Sequence, residues 1–267
     1  MKKPLGRFLL AASMGSLIVF CTGCPVMEGE TPVEPFQRTE PATGSKYYLY
    51  VPNDYDASKA WPLLVTLHGT HGFDDAHAQV REWKALAEKG GFIVLAPQLD
   101  SPQGIMPVLP RARTSDLQKD EQRILNSIDE VKKAYRINDQ AVAVSGFSAG
   151  GIPMYYVGLR HPEVFEAMIA RAANFDVESV KHVPITDQAK KLNVFIFYGK
   201  TGINPVSSQM NPLARQAWEA HKYLRQHGVT KEQIKPVEGG HERRPDLAWR
   251  YWQGILKRNG QLVTGRS

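Results

Sequence analysis

Gly146-Phe147-Ser148-Ala149-Gly150 has the residue types and spacing that acyl-transfer chemistry needs. Glycines at 146 and 150 and alanine at 149 leave room for a sharp turn with the serine hydroxyl at its crest. The apolar run 141–145 before it reads as a buried strand and 151–160 after it as a helix. A hydroxyl alone is a poor nucleophile. It needs a base within hydrogen-bond reach and N–H donors for the oxyanion that develops on the attacked carbonyl.

The base is sought after Ser148, in the chain order nucleophile, acid, histidine. His161 ends the helix that follows the serine, and His182 precedes the strand after which the acid is expected. His221 and His227 belong to a helical stretch and its end. His241 follows the last strand candidate and the Gly239-Gly240 pair, with a helix after it, and is the expected base. One oxyanion donor is expected at the Ala149 N–H. The other is assigned to Thr70 in the loop His68-Gly69-Thr70-His71-Gly72, with His68 and Gly69 shaping that loop.

The acid is not evident. The stretch Tyr198-Gly199-Lys200-Thr201-Gly202-Ile203-Asn204-Pro205 holds no Asp or Glu. Asp176, shortly after the strand candidate 165–170, ranks just ahead of Asn204 as the group that orients the imidazole, and Glu178 is a third option. Asp176 reads equally well as a helix N-cap. A different constellation, His68, His71 and His77 with Asp74 and Asp75, would suit a metal. Its spacing follows no zinc pattern and it leaves Ser148 and His241 unexplained, so no metal site and no cofactor are expected.

These residues need a frame. Strand candidates fall at 46–51, 63–67, 92–96, 141–145, 165–170, 193–198 and 234–237. Helical patterns lie at about 75–89, 115–135, 149–160, 207–227 and 245–257. Several strands are near-continuous apolar runs, as in a parallel sheet covered on both faces. Alternating strands and helices predict an α/β fold, doubly wound around a mostly parallel sheet, with no large lid. In such a sheet ligands bind beyond the carboxyl ends of the strands, which is where the candidate residues fall. Trp61, Trp83, Trp218, Trp249 and Trp252 are not assignable to a substrate pocket, and those at helical spacing read as core.

The chain of 267 residues is 42% hydrophobic and 22% charged, which suits one large domain. Of its 33 basic residues, Lys2, Lys3 and Arg7 precede Cys24, where no acidic residue lies; the rest carry thirty basic against 27 acidic groups, a net of +3. No basic stripe with interleaved aromatics is present, so nucleic acid is not an expected partner.

Lys2, Lys3, Arg7 and the apolar run Phe8 to Phe20 read as an export signal over residues 1–23. Cys21-Thr22-Gly23-Cys24 resembles a bacterial lipobox, with Cys21 where Leu is usual. It implies cleavage before Cys24 and lipid on that sulfur. The apolar run is short for a spanning helix. Residues 24–44, with Pro25, Pro32, Pro35 and Pro41, read as a flexible tether, and residues 45–267 as the folded domain. The expected location is the cell envelope, as a membrane-anchored lipoprotein, or otherwise a secreted or periplasmic site. Both cysteines lie at 21 and 24, which leaves the mature domain no disulfide, no Cys nucleophile and no thiolate ligand.

The order Tyr48-Leu49-Tyr50-Val51-Pro52, Leu67-His68-Gly69, Gly146-Phe147-Ser148-Ala149-Gly150 and Gly239-Gly240-His241 resembles that of α/β-hydrolases over about residues 45–258. It is most similar to secreted esterases of the polyhydroxybutyrate depolymerase-like and feruloyl esterase-like group and to their predicted-peptidase relatives. The resemblance implies a cofactor-free serine esterase with nucleophile Ser148, base His241 and oxyanion donors at Ala149 and in the His68-Gly69 loop. Its substrate would be a small-molecule or polymer ester, cleaved through an acyl-enzyme. That family usually carries Asp three residues after the glycine matching Gly199, and the residue here is Gly202. Two other readings stay open: a serine peptidase of the same fold, and a degenerate hydrolase that only binds an ester or glycan at the envelope.

Overall fold

A computed structural model describes residues 35–102, 114–201 and 211–263. Its frame is one sheet of eight strands among those residues: β1 Phe36–Thr39, β2 Lys46–Tyr50, β3 Trp61–Leu67, β4 Ile93–Pro97, β5 Ile137–Phe147, β6 Ala167–Arg171, β7 Asn193–Gly199 and β8 Glu232–Val237. The order is β1-β2-β4-β3-β5-β6-β7-β8. β1 and β2 run antiparallel at one edge, and every pairing from β4 to β8 is parallel. The apolar runs at 63–67 and 141–145 are buried along their whole length, as strands covered on both faces must be.

Among the described residues six helices cover the sheet: α1 Ala76–Gly90, α2 Thr114–Ala134, α3 Gly151–Arg160, α4 Val177–Val180, α5 Pro212–Gln226 and α6 Pro245–Arg258. Period-two alternation divides the core in two. Leu63, Val65, Val142, Val144, Met168 and Ile196 face the side packed by α2, α3 and α5. Leu64, Ala143, Ile169 and Phe197 face α1 and α6, where Trp83, Trp249 and Trp252 fill the gap. Trp61 is also buried, and Trp218 is half exposed.

The doubly wound α/β expectation holds, with two differences. Pairing begins at Phe36, inside the stretch expected to be a tether: Phe36–Thr39 is paired with Lys46–Leu49. The expectation of a tether through residue 44 is therefore corrected. Its four residues are half-buried to exposed and mostly polar, and an edge strand with one neighbour needs no apolar pattern. The short helix α4 was not anticipated, because four residues show no helical period. The proposed leader, Cys24, Gly202 and Asn204 lie outside the described residues.

Candidate active site

The turn after β5 holds Ser148 in a conformation that side chains rarely adopt, with φ at +50°. Strain of this kind persists only where the surroundings impose it. Here they do. A Cβ on Gly146 would collide with the Gly150 carbonyl, and one on Gly150 would lie 2.5 Å from the His68 carbonyl oxygen. The Asn174 N–H donates to the Ser148 carbonyl at 2.8 Å, tying the β6–α4 loop to the turn. The hydroxyl thus stands beyond the end of β5, between the loops that leave β3 and β6.

His241 comes to that hydroxyl from the loop between β8 and α6. Its Nε2 lies 2.9 Å from Ser148 Oγ. The imidazole stacks on the Phe147 ring, with centroids 4.8 Å apart and planes 16° from parallel. A close backbone approach sets the loop: a Cβ on Gly199 would collide with the Gly240 carbonyl, so only glycine at the end of β7 lets the β8–α6 loop bring His241 this near. Burial lowers the His241 pKa first, the Arg243 cation lowers it further, and Asp74 acts in the opposite sense. A lowered pKa favours the neutral imidazole at neutral pH, the form that general-base chemistry requires. In the tautomer that general-base chemistry requires, Nε2 accepts from the serine and the ring proton sits on Nδ1. That nitrogen is buried and has no hydrogen-bond partner among the described residues.

Asp176 does not supply one. It caps α4, accepting from the Glu178 N–H at 3.1 Å and the Ser179 hydroxyl at 3.2 Å. The expectation that it orients the imidazole is corrected: its short polar side chain satisfies the first N–H groups of the helix instead. Glu178 follows in the first turn of α4 and is exposed.

The β3–α1 loop lies against the serine, with a Cβ on Gly69 only 3.2 Å from Ser148 Cβ. Its Gly69 N–H is taken by Asp74 Oδ2 at 2.7 Å. No hydrogen bond takes the Thr70 N–H among the described residues, while the Thr70 carbonyl closes a turn with the Phe73 and Asp74 N–H groups. His68 is fully buried. It bonds through Nδ1 to the Gly69 carbonyl and through Nε2 accepts the Leu99 N–H at 3.0 Å, pinning the loop to the end of β4. Burial pushes its pKa down. His68, His71 and His77 do not gather around a common point: no three His, Cys, Asp or Glu among the described residues are placed to hold a metal ion.

Sequence reasoning missed what lies beneath. Arg171 is fully buried at the end of β6. It bonds to Glu82 and Gln79 of α1, to Thr66 at 3.0 Å and to Ser145 at 2.9 Å. Thr66 and Ser145 are register partners on β3 and β5, so the two hydroxyls form a small polar stripe in an otherwise apolar face. Arg243 donates to Asp74 at 2.8 Å and to Glu82 at 3.3 Å. The one signal in the sequence was an arginine ending the apolar run Ala167-Met168-Ile169-Ala170.

A mostly parallel sheet under two helical layers, with a serine at the turn after a central strand and a histidine from the loop after the last, defines the α/β-hydrolase fold. Residues 112–236 match the family model of the prolyl oligopeptidase family. The chain is 31% identical over 121 residues to a bifunctional acetylxylan esterase/xylanase of Neocallimastix patriciarum, covering 45% of this chain and 16% of that protein. It is 26% identical over 134 residues to dipeptidyl-peptidase 5 of Porphyromonas gingivalis, covering 49% of this chain and 19% of that one. The chain thus spans less than a fifth of either relative. A ferulic acid esterase from Anaeromyces mucronatus, solved with ferulic acid, superposes with a TM-score of 0.58 at 15% identity, covering 82% of this chain and 89% of the other.

Proposed function

We propose that this chain is a serine hydrolase that cleaves carboxylic esters through an acyl-enzyme. One observation carries the reading: the strained Ser148 turn presents its hydroxyl 2.9 Å from Nε2 of the half-buried His241. In this reading Ser148 Oγ attacks the acyl carbonyl while His241 Nε2 takes the hydroxyl proton. The Ala149 and Thr70 N–H groups hold the tetrahedral oxyanion. The intermediate collapses as the imidazolium returns the proton to the leaving alcohol. Water, deprotonated by the same nitrogen, then releases the acid and restores the serine. The esterase relatives support ester bonds carried on plant polysaccharide as the substrate class, with acetyl or feruloyl as the acyl group.

A peptidase using the same parts is the second reading, favoured by the match to the prolyl oligopeptidase family and by the dipeptidyl-peptidase relative. A degenerate hydrolase that binds without cleaving is the third, favoured by the unpartnered His241 Nδ1. A fluorophosphonate probe and p-nitrophenyl acetate separate them. Labelling of the parent and not of Ser148→Ala, with acetate release, supports the esterase. Labelling with cleavage of peptide anilides alone supports the peptidase. A folded parent that takes no label supports the binding protein.

The domain is proposed to work at the cell envelope, held by lipid on Cys24. No helix among the described residues is long and apolar enough to cross a membrane. Metabolic labelling with a radioactive fatty acid, lost in Cys24→Ser, tests the anchor.

A further inference from the structure

The charged groups beneath the site form a closed circuit. Arg171 donates to Gln79 Oε1, and Gln79 Nε2 donates to Asp74 Oδ2 at 2.8 Å. Asp74 Oδ1 accepts from Arg243 at 2.8 Å, and Arg243 donates to Glu82 Oε2 at 3.3 Å. Glu82 Oε1 accepts from Arg171, which closes the ring. Its four charged members alternate in sign, with neutral Gln79 between Arg171 and Asp74, so each carboxylate has a guanidinium neighbour and no member is buried unpaired. Both arginines also lie against the Phe147 ring, Arg243 at 4.8 Å and Arg171 at 5.8 Å from its centroid.

The ring joins the two loops on which the chemistry depends. Asp74 Oδ2 holds the Gly69 N–H, one residue before Thr70. Arg243 lies two residues after His241, and its carbonyl accepts a further, longer bond from Arg171 at 3.4 Å. Phe147, clasped by the arginines on the chain segment before Ser148, carries the His241 imidazole stacked on it. Among the described residues, the loop bearing the oxyanion donor and the loop bearing the base are therefore joined side chain to side chain by the Asp74–Arg243 pair. No member can turn away without breaking two bonds of the circuit.

We propose that the Asp74–Arg243 pair, held by Glu82, Arg171 and Gln79, is the positioning device of this active site, fixing His241 and the Thr70 loop where a carboxylate on the imidazole would ordinarily help to fix the base. The inference rests on the serine-hydrolase reading. Asp74 and Arg243 are positioning residues, since they act through the two loops. The groups facing the His241 imidazole are the Ser148 hydroxyl and Phe147 ring from the turn, Asp74 from the β3–α1 loop and Arg243 from its own loop.

The test compares the parent with Asp74→Ala, Asp74→Asn, Arg243→Gln and Arg243→Lys, each checked for folding by circular dichroism and Tm. Loosening a loop by about 1 Å costs on the order of 100-fold in rate, so Asp74→Ala should lose that much kcat with KM nearly unchanged. Asp74→Asn, which keeps an acceptor for the Gly69 N–H, should recover part of the loss, and Arg243→Lys should outperform Arg243→Gln. The acid limb of kcat/KM should move to lower pH in Asp74→Asn and to higher pH in Arg243→Gln, opposite shifts that a merely structural role would not produce. Parent-like kcat and an unmoved limb in folded Asp74→Ala and Arg243→Gln would overturn the proposal. So would losses that vanish on cooling below each variant's own Tm. If the parent itself neither hydrolyses ester nor takes the probe, it is the hydrolase reading that fails. The ring is then judged by NMR titration of the His241 imidazole, where opposite shifts in Asp74→Asn and Arg243→Gln uphold the coupling and identical titrations refute it. Should the alanine variant not fold, the Asn and Lys variants decide between the same two outcomes.

Discussion

His241 shares one ring nitrogen with Ser148 and leaves the other empty-handed: Nε2 sits 2.9 Å from the serine oxygen, while the buried Nδ1 finds no partner among the described residues. A serine activated by one base behaves as a unit, so removing either half removes the whole device. Ser148→Ala and His241→Ala should each lower kcat/KM for p-nitrophenyl acetate by roughly 1,000-fold or more, and the double variant should fall no further than the worse single. Losses that multiply in the double variant would show two groups acting independently.

The same pair dictates the pH response. Burial and the Arg243 cation both depress the His241 pKa below the ordinary histidine value of 6.5, with Asp74 opposing them. Protonation removes the base, and a depressed pKa postpones that loss. Plotted against pH, kcat/KM should therefore stay level through neutrality and fall on the acid side only below 6.5. An acid limb centred above that value would mean that some other group controls the rate.

Asp176 should prove a structural residue. Its carboxylate satisfies the start of α4 and touches neither Ser148 nor His241. Asp176→Ala should leave kcat and KM as they are and reduce stability by about 0.5–1 kcal/mol, the ordinary loss for an N-cap. Thermal unfolding and steady-state rates measured on one preparation decide it; a large fall in kcat at unchanged Tm would restore Asp176 to the site.

How far the sequence could be read follows from what each feature depends on. The strands at 63–67, 141–145 and 193–198 were legible because burial on both faces leaves a near-continuous apolar run. Ser148 was legible because it stands among glycines at the end of such a run, and His241 because the Gly239-Gly240 pair precedes it after the last, mostly polar strand. Phe36–Thr39 was not, since an exposed polar edge strand carries no burial pattern. The ring was not either: positions 74, 79, 82, 171 and 243 have no common period, and only the β3-β5-β6 adjacency and the return of α1 and the His241 loop to one face bring them together.

Gly199 offers a test of how closely the base loop must approach. A methyl there would meet the Gly240 carbonyl directly, with Gly239 close behind, so the strand end or the loop must shift. Gly199→Ala should lower kcat by on the order of 100-fold through displacement of His241, although position 199 touches no substrate. The Ser148→Ala background separates displacement from unfolding, because the Tm cost of the methyl should be the same there as in the parent. Parent-like hydrolysis by Gly199→Ala would show that the loop tolerates the movement.

Arg171 is the ring member whose removal should be felt first in stability. It is fully buried, and beyond Glu82 it serves Thr66, Ser145 and Gln79. Substituting methionine fills much of the volume but leaves Glu82 with the longer bond to Arg243, while the Thr66 and Ser145 hydroxyls keep their bonds to Gln79 Oε1 at 2.9 Å and to the Ile169 carbonyl at 3.2 Å. Breaking a buried pair on one side costs about 3–5 kcal/mol. Arg171→Met should lose about that much in urea unfolding, and adding Glu82→Gln should return part of it by removing the uncompensated charge. Equal losses in the single and double variants would assign the cost to packing around the side chain and not to charge.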